Sequence, residues 1–358
     1  MPIACLASGL QFYYEDSGAL DGAYTTLVFI HGTAFTAGIF RRMLPYAPSN
    51  RVRLVFLNRR DYPDSSPFSP DELAGLNNAD LCTRRTALRR VGLDYGAFLV
   101  WFVRMYNTPP LVVHDDGLRE GGIVLVAWSL AHSSAAALVA CPNELPEDQR
   151  AILDEHLRAY CTLDTPSTSF GLPQLSQYHP LTEESIPTSE RVPRFERWVS
   201  AYYTHSIDAL TSHDTSLLDL SPLPYPAPPS KEGQPPTLEA MDAADKQSIS
   251  WPGPIGSSEL FLFTMPPQVL YEHTRLALFD AEAAKVLPRC RFILVWSTQG
   301  GWTTISAAWD IERIYNECWH PTRSEVGRPL DVVELPWANH FPHWDEPEKT
   351  VQTLASVC

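Results

Sequence analysis

The sequence predicts an α/β protein with a mostly parallel, doubly wound central sheet. Short apolar runs rich in β-forming residues alternate along the chain with segments of helical spacing. The composition, with 44% hydrophobic and 19% charged residues, is that of a globular protein. Short strands that are apolar throughout are typical of a sheet covered on both faces, and helical crossovers between such strands make the sheet parallel.

The chain divides into three parts on this pattern. Predicted strands cover residues 10–14, 26–30, 52–57, 123–126, 157–163, 292–296 and 332–335, and predicted helices cover residues 83–106 and 146–155. The alternation fails after residue 166, where the proline-rich stretch SPLPYPAPPSKEGQPP (residues 221–236) excludes central strands and helix interiors. Helical spacing over residues 194–203 and 260–277 indicates a helical cap, and a decorated surface loop is the alternative. We therefore expect a core of residues 1–166 and 281–358, with the cap inserted at residues 167–280.

The net charge and the cysteine pattern indicate which binding partners and which stabilising groups to expect. The 358 residues carry a formal net charge of -15, which repels nucleic acid and anionic membranes unless a basic patch reverses the field. The seven cysteines are scattered and form no C-x-x-C pair, which argues against a disulfide framework and a zinc site. No window resembles a signal peptide or a membrane span, so we expect a cytoplasmic protein without nucleic-acid or membrane partners.

The stretch GGIVLVAWSLAHSSAAALVA (residues 121–140) places a serine where a strand turns into a helix. A residue at such a sharp turn adopts strained backbone geometry with its side chain exposed at the carboxyl end of the sheet. The positions two before and two after Ser129 must be small, and they are Ala127 and Ala131. Taken alone, this pattern fits a helix N-cap as well as a nucleophile.

Three further loops lie at the carboxyl ends of predicted strands. His31-Gly32-Thr33-Ala34 follows the strand at residues 26–30, and the backbone N–H groups of such a turn, with that of Leu130, are able to bind an oxyanion. The polar loop LNRRDYPDSSPFSP follows the strand at residues 52–57, and Asn339-His340 follows the strand at residues 332–335.

These motifs, in this order, resemble the α/β-hydrolase family. The resemblance rests on His31-Gly32, the NRRDY loop at residues 58–62, the AWSLA turn at residues 127–131 and Asn339-His340. It implies that Ser129 is the nucleophile, that His340 is the general base, and that the N–H groups of Thr33 and Leu130 form the oxyanion hole. His343 is the rival base. The resemblance implies neither a metal nor an organic cofactor.

The acid that orients the histidine departs from the commonest family pattern. The loop after the strand at residues 292–296 reads STQGGW and contains no carboxylate. Asp164 follows the strand at residues 157–163 instead, an arrangement similar to that of some lipases, and we predict that it is the acid. An Asx turn ahead of Pro166 is the structural alternative, and Asp310 is the rival acid.

The resemblance implies a serine hydrolase for carboxylic esters, lactones or thioesters. The aromatic content of the cap suits a small to medium hydrophobic substrate, and we assign Trp128, Trp198, Tyr202 and Phe261 to substrate binding. Each cap aromatic also fits a purely structural role in the cap interior. Because one fold serves many functions, two alternatives stay open: C–C cleavage, lyase or cyclisation chemistry with the same triad, and a ligand-binding pseudoenzyme.

Overall fold

The central sheet of the protein contains eight strands. The computed structural model describes residues 2–221, 233–318 and 327–358. Its strands are β1 (Ile3–Cys5), β2 (Gln11–Asp16), β3 (Thr25–Ile30), β4 (Val52–Leu57), β5 (Ile123–Trp128), β6 (Leu157–Leu163), β7 (Arg291–Ser297) and β8 (Leu330–Leu335). They lie side by side in the order β1-β2-β4-β3-β5-β6-β7-β8. The pairs β1·β2 and β2·β4 are antiparallel, and the other five pairs are parallel.

The apolar runs of the sequence account for this sheet. All seven predicted strands belong to it, and every residue of β4, β5 and β6 is buried. Successive side chains of a strand point to opposite faces, so each strand contributes side chains to the hydrophobic core on both faces of the sheet. In β5, Leu125 packs on one face and Val126 on the other. The short edge strand β1 was not predicted, because only its central residue, Ala4, is buried and the apolar signal is correspondingly weak.

Helices cover both faces of the sheet, as the doubly wound prediction requires. In chain order the helices are α1 (Pro70–Leu76), α2 (Leu81–Tyr106), α3 (His132–Ala140), α4 (Glu147–His156), α5 (Ser167–Phe170), α6 (Thr188–Ser200), α7 (Ile207–Ser212), α8 (Thr237–Ala240), α9 (Ala243–Ile249), α10 (Ser258–Phe263), α11 (Pro267–Thr274), α12 (Ala281–Ala284), α13 (Trp302–Cys318), α14 (Pro342–Asp345) and α15 (Pro347–Val357). Helices α2, α3, α11 and α13 contribute to the core on one face. The 3-10 segment Ala37–Tyr46 packs with α14 and α15 on the other.

The described residues between β6 and β7 form helices and loops. These described residues form no strand of the central sheet, and contacts with the loop after β7 attach them to the core. There the N–H of Tyr203 donates to the carbonyl of Gln299 (2.9 Å), and His205 Nε2 donates to the carbonyl of Gly300 (2.9 Å). Most of the predicted proline-rich loop, residues 222–232, lies outside the described residues.

Two helices of this region differ from their predicted bounds. The helix predicted over residues 260–277 is divided between α10 and α11, because Pro266 and Pro267 interrupt the backbone hydrogen-bond ladder. The helix predicted over residues 194–203 is the C-terminal part of α6, which starts earlier and ends at Ser200. Helix α11 packs against α2 and α3, so this end of the predicted cap is part of the layer that covers the sheet.

Candidate active site

Ser129 sits on a strained turn directly after β5. Its φ of 57° lies in the left-handed region that non-glycine residues rarely adopt, and a 3-10 turn (Ser129–Ala131) leads from it into α3. The flanking Ala127 and Ala131 are fully buried, which is consistent with the small residues that such a turn demands. Ser129 is half-buried and lines the cavity described below.

His340 and Asp164 complete a hydrogen-bonded chain with this serine. His340 Nε2 lies 3.0 Å from Ser129 Oγ, and His340 Nδ1 lies 2.5 Å from Asp164 Oδ2. Since an ionised carboxylate only accepts, Nδ1 carries the proton and Nε2 accepts from the serine hydroxyl. Asp164 is fully buried, and its second oxygen accepts the backbone N–H of Ser297 at 2.9 Å. The chain therefore brings together the three residues that the sequence proposed, from the ends of β5, β6 and β8.

The two rivals lie elsewhere. Asp310 is on α13, where it pairs with Arg313 at 3.0 Å. His343 is fully buried between Phe40 and Trp128, with ring centroids 4.8 and 4.5 Å away. Neither ring nitrogen of His343 finds a hydrogen-bond partner among the described residues, and burial together with His340 holds its pKa well below the usual range. His343 is thus a neutral packing residue in this structure.

The predicted oxyanion-hole loop lies directly against Ser129. A Cβ built on Gly32 would lie 3.0 Å from Ser129 Cβ, so any larger residue at this position would have to displace Ser129 or the loop by a few tenths of an ångström. Thr33 and Leu130 both border the same cavity as Ser129. Among the described residues, neither backbone N–H donates to another backbone group outside regular helix and strand pairing. Two backbone amides thus border the cavity next to Ser129, and N–H groups are the donors that commonly bind a tetrahedral oxyanion.

The cavity beside Ser129 has a volume of about 490 Å³. Residues of the core form part of its lining, and residues of the cap form most of the rest. One face of α6 provides Thr188, Arg191, Val192, Phe195, Trp198 and Val199, whose spacing follows the helical period. Leu260 and Phe263 of α10 and His179 add to the wall. Burial lowers the pKa of His179 to about 4, so this side chain is neutral at pH 7.

Two of the four predicted substrate-binding residues border this cavity and two do not. Trp128 and Trp198 line it, and Trp128 Nε1 also donates to the carbonyl of His340 at 3.0 Å. Tyr202 instead donates its hydroxyl to Asp345 at 2.7 Å, because α6 has ended before it and the chain has turned toward α14. Phe261 packs into the core beneath the cap, since it lies on the opposite side of α10 from Leu260 and Phe263.

Sequence reasoning missed an ion pair that crosses from the cap to the core. Arg59, in the loop after β4, binds Glu259 of α10, and both side chains are buried. Glu259 borders the cavity. The only available signal was the arginine-rich NRRDY loop, which does not specify a partner 200 residues away.

The described residues show neither a cluster of three or more metal-ligating side chains nor a helix long and apolar enough to cross a membrane.

The strand order and the strands that carry Ser129, Asp164 and His340 are those of the α/β-hydrolase fold, and the chain has this fold. No protein-family model and no curated protein sequence matches it. Similar solved structures include a bromoperoxidase from Bacillus anthracis (10% identity, TM-score 0.46, covering 100% of this chain and 99% of that one). A carboxylesterase from Nitrososphaera gargenis (12%, 0.47, 99% and 97%) and an esterase from Exiguobacterium antarcticum (12%, 0.44, 99% and 98%) are also similar. At these scores the likenesses add no argument about activity.

Proposed function

We propose that the protein is a serine hydrolase that cleaves a carboxylic ester, lactone or thioester through an acyl-enzyme. The observation that carries the proposal is the unbroken chain of hydrogen bonds from Ser129 through His340 to buried Asp164, beside a cavity. A serine hydroxyl is a weak nucleophile at neutral pH unless an adjacent base removes its proton. His340 Nε2 is 3.0 Å from Ser129 Oγ, within reach for that transfer.

The reaction follows from this arrangement. Ser129 Oγ attacks the carbonyl carbon while His340 takes the hydroxyl proton, and Asp164 stabilises the resulting imidazolium. The negative charge that develops on the carbonyl oxygen is bound by the N–H groups of Thr33 and Leu130. His340 then protonates the leaving alcohol or thiol. A water molecule, deprotonated by His340, releases the acyl group and restores the serine.

The cavity favours a compact, mostly apolar substrate. A volume of about 490 Å³ falls within the range of small-molecule sites, and Trp198, Phe195 and Phe263 from the cap line the cavity together with Trp128. We therefore propose small to medium hydrophobic acyl substrates in preference to polymers. Turnover of short p-nitrophenyl esters or aryl lactones supports this choice, and activity confined to a polymeric ester contradicts it.

A fluorophosphonate probe tests the proposed nucleophile directly. We expect a covalent adduct at Ser129, located by peptide mass spectrometry, and its loss in Ser129→Ala and His340→Ala. Labelling that persists in His340→Ala would show that His340 does not activate the serine. If the folded wild-type protein binds hydrophobic ligands in the cavity but is not labelled, the pseudoenzyme alternative replaces the hydrolase.

A further inference from the structure

The ion pair between Arg59 and Glu259 lies next to the loop that carries Thr33. Arg59 Nη2 donates to Glu259 Oε1, and only 3% and 4% of the two side chains are exposed. Glu259 Oε2 has no hydrogen-bond partner among the described residues. Since breaking a buried pair leaves an uncompensated charge, each residue depends strongly on the other.

Arg59 also holds the loop that presents the Thr33 amide. Its backbone N–H donates to His31 Nε2 at 3.0 Å, and its Nη2 lies 3.4 Å from the carbonyl oxygen of Gly32. The same Nη2 lies 3.3 Å from the hydroxyl of Tyr62, which accepts the N–H of Ala34 at 3.1 Å. The residues on either side of Thr33 are thus held by a network that Arg59 joins.

The charges in this network are consistent with a fixed arrangement. Burial is the largest single effect on the pKa of Arg59 and acts to lower it, but Glu259, Tyr62 and Tyr95 together outweigh burial and the pKa is raised. Burial and the positive charge of Arg59 hold the pKa of His31 well below its usual range. His31 is therefore neutral, so Nδ1 can donate to the carbonyl of Gly32 (2.9 Å) while Nε2 accepts from Arg59.

We propose that Glu259 is a positioning residue: the carboxylate of the cap, acting through Arg59 and Tyr62, fixes the loop that presents the Thr33 amide to the oxyanion. This inference rests on the proposed hydrolase function. The cap then contributes to stabilisation of the transition state and not only to the shape of the substrate cavity. Loss of the Glu259 carboxylate should therefore lower kcat, because an oxyanion hole stabilises the charge that develops in the transition state and not the bound substrate.

Glu259→Gln is the first test. The glutamine keeps the length of the side chain and an oxygen that accepts from Arg59, but it removes the negative charge. Losing one oxyanion donor costs about 10²–10³ in kcat, and misplacing it costs less, so we expect a roughly 10- to 100-fold fall in kcat. KM should stay within about threefold. A raised KM with unchanged kcat would overturn the proposal, because it would make Glu259 a substrate contact on the cavity wall.

The neighbouring pair of Arg60 with Glu72 supplies a matched control. Arg60 is also buried and binds both carboxylate oxygens of Glu72, at 2.6 and 2.7 Å, but among the described residues the pair forms no hydrogen bond or ion pair with residues 31–34. Glu72 forms a capping box with Ser69, a role that glutamine also performs. Glu72→Gln should lower the melting temperature and leave kcat unchanged. If kcat falls equally in Glu259→Gln and Glu72→Gln, the loss of activity comes from general destabilisation and the positioning role is overturned.

A double variant separates positioning from folding. Replacing a buried ion pair by apolar residues of similar size is often neutral or stabilising, so Arg59→Met with Glu259→Met should remain folded. We expect its kcat to stay at least tenfold below that of the wild type although its melting temperature is preserved. A folded double variant with wild-type kcat would overturn the proposal.

Labelling kinetics keep this inference distinct from the proposed function. Phosphonylation of Ser129 develops charge on the phosphoryl oxygen in the same hole, so Glu259→Gln should lower the limiting rate of labelling about tenfold or more. Equal limiting rates in the wild type and Glu259→Gln would overturn the positioning role alone. A folded wild type that is never labelled would overturn the hydrolase function on which that role rests.

Discussion

Replacing Asp164 by Asn removes one charge at the buried end of the triad while keeping the shape of the side chain. The two carboxylate oxygens accept two hydrogen bonds, from His340 Nδ1 at 2.5 Å and from the N–H of Ser297 at 2.9 Å. Asparagine has only one oxygen to offer. If that oxygen faces Ser297, the amide NH₂ faces His340 and forces its proton onto Nε2.

The size of the expected fall in kcat follows from the tautomer that His340 adopts in this variant. With the proton on Nε2, His340 can no longer accept the hydroxyl proton of Ser129, and the analogous change in a serine protease triad lowers kcat about 10⁴-fold. Each tenfold in rate corresponds to about 1.36 kcal/mol, so the expected loss of transition-state stabilisation is about 5 kcal/mol. Asp164 is fully buried, so bulk water cannot replace the missing acceptor.

Steady-state hydrolysis of a p-nitrophenyl ester, with a thermal melt on the same preparation, measures this effect. We expect kcat to fall by about four orders of magnitude in a folded variant. Asp310→Asn is the control, because Asp310 contacts Arg313 on α13 and should retain wild-type kcat. A folded Asp164→Asn variant with kcat within tenfold of the wild type, or a larger loss in Asp310→Asn, would refute the assignment of the acid.

Three further changes test the site and its surroundings. His343→Phe should keep kcat within about threefold, because this buried ring has no hydrogen-bond partner among the described residues; a loss as large as that of His340→Ala would contradict the choice of base. Gly32→Ala should lower the rate of fluorophosphonate labelling at least tenfold, since the new methyl comes within 3.0 Å of Ser129 Cβ, and unchanged labelling would show that the loop adapts. Burial raises the pKa of Asp94 from 3.8 to about 6, so the folded state binds more protons between these pH values and the free energy of unfolding falls as pH rises through them. Asp94→Asn should therefore be more stable than the wild type by about 1–3 kcal/mol above pH 6 and equal to it near pH 4, as urea unfolding would show; a constant difference at all pH values would contradict this origin.

The sequence predicts the sheet well because its signal is local. A run such as β5 is buried at every position, so composition over a few residues indicates its state. Asp164 was found by the same logic, since a residue after a parallel strand lies at the carboxyl edge with the other strand ends. The α/β-hydrolase fold expected from these patterns is confirmed.

Features that depend on tertiary packing were not predictable. Phe261 differs from the cavity-lining Leu260 by one residue, which is a rotation of about 100° around a helix, and no sequence pattern gives the absolute orientation of α10. The partner of Arg59 is Glu259, 200 positions away in a segment whose docking depends on the whole cap. An ion pair between residues so far apart in the chain produces no repeating residue pattern from which a single sequence could predict it.

The loop after β7 is a convenient site for engineering. It attaches the cap through the carbonyl oxygens of Gln299 and Gly300, and the strand residue just before it, Ser297, supports Asp164 through its backbone N–H. Every amino acid carries these carbonyl groups, so a library at position 299 can vary the side chain without deleting the attachment. Position 300 is more restricted, because a Cβ there would approach Thr304 Oγ1 to 2.9 Å. The side chain at position 299 can thus be varied while the charge that orients His340 stays on another strand.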